Sequence, residues 1–360
     1  MTQDDVFMPQ NDIDDEAAPK MLGLLLIDGF ALMSYASVIE PFRAANTLAG
    51  RELYRWTHIS VDGRQVRAST GAGMLADQAV GEPIFCDTLF VFAAGDPTAF
   101  SDPKTFAWLR RLARANVRLA GVSGGPFLLA RAGLLTGYRA TIHWDHRSAF
   151  LEAFPTSDLE PGLYVIDRRR LTCAGGTAGL DLAIELIERE HGHELALQVG
   201  EWFIRTEPRP GAKSQRLSLR ERVGIGNDRV IRVLAEMEAS LEQPTGMRKL
   251  AQVAGVSVRQ LERLFAAHLR ETVGECYLRI RLEKAAELLR KTGLSVTAIG
   301  LACGFQSSSH FSRSYKSRYE MTPSSDRIRA ALQPRKLNRS DASHQADKVR
   351  RRHPGISRVV

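Results

Sequence analysis

The period of hydrophobic and polar positions changes once along the chain, and the change divides it. From Met21 to Ala174 short continuous apolar runs alternate with amphipathic stretches. MLGLLLI, beginning at Met21, reads as a buried strand, DGF as its turn, and Ser34 to Leu48 as a helix. Trp56 to Val61 and a segment near Val66 read as further strands. TLFVFAA, Thr88 to Ala94, has the unbroken apolar character of a central parallel strand covered on both faces. Pro103 to Arg114 predicts a helix, Val117 to Val122 another buried strand, and Pro126 to Ala132 the helix after it. Tyr164 to Asp167 and Leu171 to Ala174 predict a hairpin, and Gly179 to His191 an amphipathic helix. Such alternation over about 180 residues predicts one α/β domain with a doubly wound, mostly parallel sheet.

After Gly226 the pattern is helical throughout, and two stretches repeat each other: GMRKLAQVAGVSVRQLERLFAAHL from Gly246 and SVTAIGLACGFQSSSHFSRSYKSRY from Ser295. Leu250, Ala254, Gly255 and Val256 recur forty-nine residues later as Ile299, Cys303, Gly304 and Phe305. Leu261, Arg263 and Phe265 recur fifty residues later as Phe311, Arg313 and Tyr315. Each unit is a short apolar helix, a glycine and a helix opened by a polar residue, the layout of a helix-turn-helix. Gly255 and Gly304 stand where the sharp turn demands a positive φ. Ser257 is placed to cap the second helix of the first unit, and Gln306 with Ser307 opens that of the second. Arg259, Gln260 and Arg263, and Ser308, Ser309, His310 and Arg313, fall on the outward side, and these side-chain types read base edges or phosphates. Between the units, Val273 to Thr292 predicts an amphipathic helix of about 30 Å, close to the ~34 Å that separates successive major-groove faces. This tandem pair resembles the AraC/XylS-type DNA-binding domain over roughly Asn227 to Leu332, including the TPSSDR that follows the second unit.

In the α/β part, Gly121-Val122-Ser123-Gly124-Gly125 follows a buried strand and precedes a helix, so Ser123 sits on a tight turn at the carboxyl end of the sheet. The stretch fits G-x-S-x-G, the nucleophile elbow of serine hydrolases. Three segments, DGFALMSYASVIEPFRAAN, LAGVSGGPFLLARAGLLTGYRATIHW and LTCAGGTAGLDLAIELI, resemble the class I glutamine amidotransferase-like (PfpI-like) domain that is fused to AraC-type helices in a group of bacterial regulators. The resemblance implies a flavodoxin-like sheet. Enzymes of that fold carry cysteine at the elbow where this chain has Ser123, and Ser34 falls where certain relatives have an acidic residue. A serine hydroxyl needs an adjacent base to become a nucleophile. The reading is therefore a pocket kept for binding, with backbone amides at the elbow and a helix N-terminus favouring an anionic group. Ser123, Gly124, His143 and Trp144 are the candidates for its lining, Trp144 being equally well explained by core packing. Glu40 either meets a cationic group of the effector or pairs with Arg43. The alternative is an amidohydrolase or amidotransferase-like enzyme using Ser123 and His143, fused to DNA-binding helices. CAGGTAG is not a Walker loop, and Asp181 at the start of the next helix is accounted for by the helix dipole.

Charge follows the same division. The net charge of +8 is carried by the last third of the chain, as expected of a polyanion-binding module joined to a neutral sensor. Four cysteines without metal-ligand spacing read as reduced, buried thiols, so neither a metal nor a cofactor is expected. No apolar run reaches the ~20 residues of a membrane span, which implies a cytoplasmic, nucleoid-associated protein with no membrane partner. The expected organisation is an acidic disordered leader over residues 1–20, a sensor domain over 21–205 and a linker over 206–226. An all-α domain with two helix-turn-helix units follows over 227–332, then a basic disordered tail over 333–360 that adds phosphate contacts. The resemblances imply a transcription regulator, with double-stranded DNA and a small-molecule effector as partners. They further imply a homodimer through the sensor domain, contact with RNA polymerase as an activator, and an amino acid or a quaternary amine such as betaine or carnitine as effector.

Overall fold

The computed structural model describes residues 18–332, so the expectations for the leader and the tail lie almost wholly outside the described residues. The N-terminal domain opens with β1 (Lys20–Leu26), α1 (Leu32–Ala49) and β2 (Tyr54–Ser60). The short strands β3 (Val66–Arg67), β4 (Gly73–Met74) and β5 (Gln78–Ala79) lead to the central β6 (Thr88–Ala93), α2 (Pro103–Arg114), β7 (Arg118–Ser123) and α3 (Gly125–Arg131). After β8 (Arg139–Ala140) come a 3-10 turn at Trp144–His146, α4 (Arg147–Ala153) and β9 (Asp158–Leu159). The hairpin of β10 (Tyr164–Asp167) and β11 (Arg170–Cys173), then α5 (Ala178–His191) and α6 (His193–Trp202), complete it.

Seven strands form one sheet in the order β10-β11-β7-β6-β1-β2-β5, parallel except for β10 against β11. Every residue of β6 is buried, as its unbroken apolar run requires, because separate hydrophobic clusters cover the two faces of the sheet. One contains Phe42, Phe90 and Leu182, and the other Val91, Trp108 and Phe127. The doubly wound reading therefore holds, and the elements begin within a few residues of their expected starts. Helix α1, for example, starts at Leu32 rather than Ser34.

The C-terminal part contains α7 (Leu219–Val223), α8 (Asp228–Ala239), α9 (Met247–Ala254), α10 (Val258–Leu269), α11 (Val273–Lys291), α12 (Val296–Ala302), α13 (Ser308–Tyr319) and α14 (Pro323–Leu332). Its core begins earlier than residue 227, since Ile225 is buried in it and Leu219 and Val223 pack on it. The first unit, α9–α10, is held by Leu250, Ala254, Leu261 and Phe265, and the second, α12–α13, by Ile299, Cys303, Phe311 and Tyr315. These are the positions that recur in the sequence. Ser257 and Thr272 close full capping boxes, and Ser307 caps α13.

Gly255 and Gly304 both have positive φ, 66° and 74°, but their surroundings differ. Nothing lies within 4 Å of a Cβ built at Gly255, whereas at Gly304 it would come 2.5 Å from the Leu241 carbonyl oxygen and 2.5 Å from Pro244. The turn of the second unit is therefore seated against the loop after α8. Arg281 of α11 fastens it there, donating from Nε to the Cys303 carbonyl and from Nη2 to the Gly304 carbonyl, each at 2.7 Å. Gly255→Ala is expected to cost about 1–2 kcal/mol through φ alone. Gly304→Ala adds an overpacking cost of roughly 1–3 kcal/mol. Urea unfolding of the full-length variants measures the difference, and equal losses would disprove the seating of Gly304.

Candidate effector cavity and nucleic-acid interface

Strand β7 delivers Ser123 to the elbow in a left-handed conformation, φ 60°, with its side chain buried. Such a backbone in a residue other than glycine is stored strain held by its surroundings. Ser123 is pressed by the glycine turn after β11: a Cβ at Gly175 would lie 2.7 Å from Ser123 Cβ and 2.6 Å from Ser34 Oγ. Ser34 Oγ accepts the N–H of Gly176 at 2.8 Å, so the first strand-helix loop, the elbow and this turn meet. Gly124 is oriented otherwise. Its N–H donates to the Ala93 carbonyl at 2.8 Å and its open side faces Ala93 and Pro97. The elbow amide expected to receive an anion is thus already used inside the sheet. Glu40 is ion-paired with Arg43 at 2.7 Å and half-exposed on α1, which is the second of its two expected roles.

Next to the elbow lies a cavity of about 210 Å³ lined by His143, Trp144, Gly175, Gly176, Thr177, Arg209 and Gln215, among others. His143 reaches the elbow through its backbone, donating its N–H to the Ser123 carbonyl at 3.3 Å. No hydrogen bond between the Ser123 hydroxyl and the imidazole occurs among the described residues. Burial holds the imidazole pKa below its ordinary value, with Lys291 adding to this and Asp145 opposing it. His143 Nδ1 accepts the Asp145 N–H at 3.2 Å, which puts the proton of the neutral ring on Nε2. The nearest thiol, Cys173, is fully buried and pushed up to about 12 by burial, so it supplies no thiolate in place of the missing elbow cysteine.

On the C-terminal domain, Ser257, Arg259, Gln260, Arg263, Gln306, Ser307, Ser308, Ser309, His310 and Arg313 are all exposed. They lie on α10 and α13 and at their N-terminal ends, the parts of a recognition helix that enter a groove. Gln260 has a prior engagement, since its Oε1 accepts from Ser257 N at 3.0 Å and from Ser257 Oγ at 3.1 Å in the capping box. Only its Nε2 is left for a base, and bidentate pairing with adenine requires both atoms.

Comparison with known proteins agrees with both halves. The DJ-1/PfpI family model matches residues 22–189 and a helix-turn-helix domain model matches residues 250–329. The HTH-type transcriptional regulator CdhR of Pseudomonas aeruginosa is 45% identical over 84% of this chain and 90% of its own length. The regulator GbdR of the same species is 40% identical over 86% of this chain and 84% of its own. GlxA of Rhizobium meliloti, also an HTH-type transcriptional regulator, is 39% identical over 88% of this chain and 98% of its own. The chain belongs to this family of AraC-type transcriptional regulators with a DJ-1/PfpI-like domain.

In this regulator the segment between the domains is built into the sensor. Gln215 donates from Nε2 to Thr141 Oγ1, the Ile142 carbonyl and the Gly162 carbonyl at 2.8–3.0 Å, and its Oε1 accepts the Trp144 N–H at 2.7 Å. Asp181, fully buried, is bound by Arg205 at 2.8 Å and by Arg209 at 2.5 Å. The helix dipole therefore accounts for only part of the role of Asp181: it is the counter-ion that ties the start of the linker to α5. Sequence reasoning passed over Arg209 and Gln215 because a polar stretch rich in Pro and Gly reads as a free connector. The one available signal was a buried-helix aspartate with two arginines shortly downstream.

The sensor also touches the output helices. Lys291, at the end of α11, pairs with Asp145 at 2.6 Å, Ser148 donates to Glu287 at 2.8 Å, and the Gly293 N–H reaches Glu152 at 3.0 Å. The Trp144 ring has Lys291 5.4 Å and Arg216 5.0 Å from its centroid, so sensor, linker and output converge on it.

Two outcomes follow. Asp181→Asn leaves two guanidinium groups without their buried carboxylate, and urea unfolding should show a loss of about 3–5 kcal/mol. A neutral result would mean that the linker is not anchored there. The depressed imidazole of His143 makes the unfolded chain the better proton binder just below pH 6.5, so stability present above pH 6.5 is lost as pH falls. His143→Gln should flatten that part of the melting temperature's pH profile, and an unchanged profile would place the proton elsewhere.

Proposed function

We propose that the regulator responds to a small zwitterionic or anionic effector, such as an amino acid or a betaine-like quaternary amine, taken up in the cavity beside Ser123, and that the cavity binds without catalysing. One observation carries this reading: the elbow serine is buried and strained with no base hydrogen-bonded to its hydroxyl, while the adjoining cavity is open and lined by His143, Trp144 and Arg209. A retained nucleophile would need a general base within hydrogen-bond reach. The positioned polar groups around a small concavity are instead those of a binding site.

The proposed domain limits are 21–205 for the sensor and 219–332 for the output, which takes in α7 because of its packing. We assign base reading chiefly to Arg259 in the first unit and to Ser308, Ser309 and His310 in the second. Ser257, Gln306 and Ser307 approach the phosphates from the helix starts, and Arg263 and Arg313 lie further along the same exposed faces. Homodimerisation through the sensor, activation through RNA polymerase and a cytoplasmic location complete the proposal. They accord with the family, and no helix among the described residues is long and apolar enough to cross a membrane.

The deciding experiment titrates full-length protein onto an operator selected from random DNA, with and without glycine betaine, L-carnitine and L-arginine, and assays the same protein for amide and ester hydrolysis. Effector-dependent DNA binding without turnover is the expected result. Hydrolysis abolished by Ser123→Ala, with DNA binding indifferent to every compound, would overturn the proposal. On the DNA side, Arg259→Ala should cost about 1–3 kcal/mol on the selected site and little on random duplex. Arg313→Ala should weaken both alike and lower the salt slope by about 1. Fluorescence anisotropy at several salt concentrations separates the two, and identical behaviour would refute this division of roles.

A further inference from the structure

The cavity beside the elbow has a wall that does not come from the sensor. Arg209 and Gln215 line it from the segment leading to the DNA-binding helices. Arg209 is held on one side only: Nη2 donates to Asp181 Oδ2 at 2.5 Å, to the Thr177 carbonyl at 3.0 Å and to Thr177 Oγ1 at 2.9 Å. Its Nε and Nη1 make no hydrogen bond among the described residues. The guanidinium is thus oriented by a buried carboxylate while part of its fork remains available, which is how an arginine is preorganised for a second carboxylate. The rest of the lining suits the same charge. Thr177 stands just before α5, whose N-terminal end carries partial positive charge, and among the described residues no acidic side chain lines the cavity.

We propose that Arg209 is the residue that binds the carboxylate of the effector, so that the linker itself, rather than the sensor sheet alone, registers occupancy. This rests on the reading of the cavity as the effector site. A ligand bridging Arg209 and His143 would pin the linker against the 3-10 turn whose Trp144 and Asp145 meet Lys291 of α11. Ligand identity would then be conveyed to the output helices through two consecutive stretches of chain, 143–145 and 209–216.

The test uses the full-length protein and isothermal titration with acetate, glycine betaine, L-carnitine and L-arginine as carboxylate probes, and with choline as a cation lacking the carboxylate. At least one carboxylate probe should bind at millimolar concentration or tighter. Arg209→Gln should weaken it about 10- to 100-fold, with partial recovery in Arg209→Lys. Arg205→Gln disturbs the same Asp181 anchor without lining the cavity, and should leave the affinity within about twofold of wild type. The bound probe should also protect the peptide bonds after Lys213 and Arg216 from trypsin in the wild type and not in Arg209→Gln. No binding by any carboxylate probe, choline binding as tightly as glycine betaine, or equal losses in Arg205→Gln and Arg209→Gln would each overturn the assignment. Affinity lost in His143→Ala but kept in Arg209→Gln would overturn it while leaving the cavity as the effector site. Affinity kept in both would remove the site as well.

Discussion

One helix has to satisfy three partners at once. The first turns of α11 bury Val273, Cys276 and Tyr277 in the core of the first helix-turn-helix unit, and its later turns bury Leu282, Ala285, Leu288 and Leu289 in that of the second. Its remaining face carries Lys284, Glu287 and Lys291 to the sensor. Because both cores are built on this one helix, the two recognition helices cannot be reoriented independently without opening one of those cores. Arg281 and the tight fit at Gly304 extend this constraint from the helix to the turn of the second unit. The result is an output domain in which the spacing of the two helix-turn-helix units is set by a single helix.

The sensor obeys a comparable constraint at Asp181. A carboxylate with no exposure to water is tolerable only because two guanidinium groups neutralise it, and both belong to the chain leaving the domain. The path from α6 to α7 is thereby attached to α5. Gln215 repeats the device with neutral groups, its amide serving the Thr141 hydroxyl, the Ile142 and Gly162 carbonyls and the Trp144 N–H.

Much of the fold was legible because its signals are local and periodic. The apolar run of β6, the alternation from Met21 onward and the repeat of Leu250 and Leu261 as Ile299 and Phe311 each report burial directly. The outward residues of α10 and α13 were legible as the complement of that repeat. The cavity beside the elbow was legible only in part. His143 and Trp144 line it, and Ser123 adjoins it through Gly175, but Gly124 spends its N–H on Ala93 and Glu40 pairs with its own helix neighbour. What could not be read were pairings across long separations: Ser34 with Gly176, and Gln215 with Thr141. Such bonds leave no period in the sequence, because each depends on where the sheet brings two distant turns.

The seam between the halves has a thermodynamic character of its own. Its hydrogen bonds and ion pairs join Asp145, Ser148 and Glu152 to Lys284, Glu287, Lys291 and Gly293, and among the described residues no hydrophobic cluster runs across it. Parting the halves there would wet half-buried ion pairs and break no hydrophobic cluster seen among the described residues. Separation should therefore carry almost no heat-capacity signature and depend steeply on ionic strength, whereas melting either half shows the reverse.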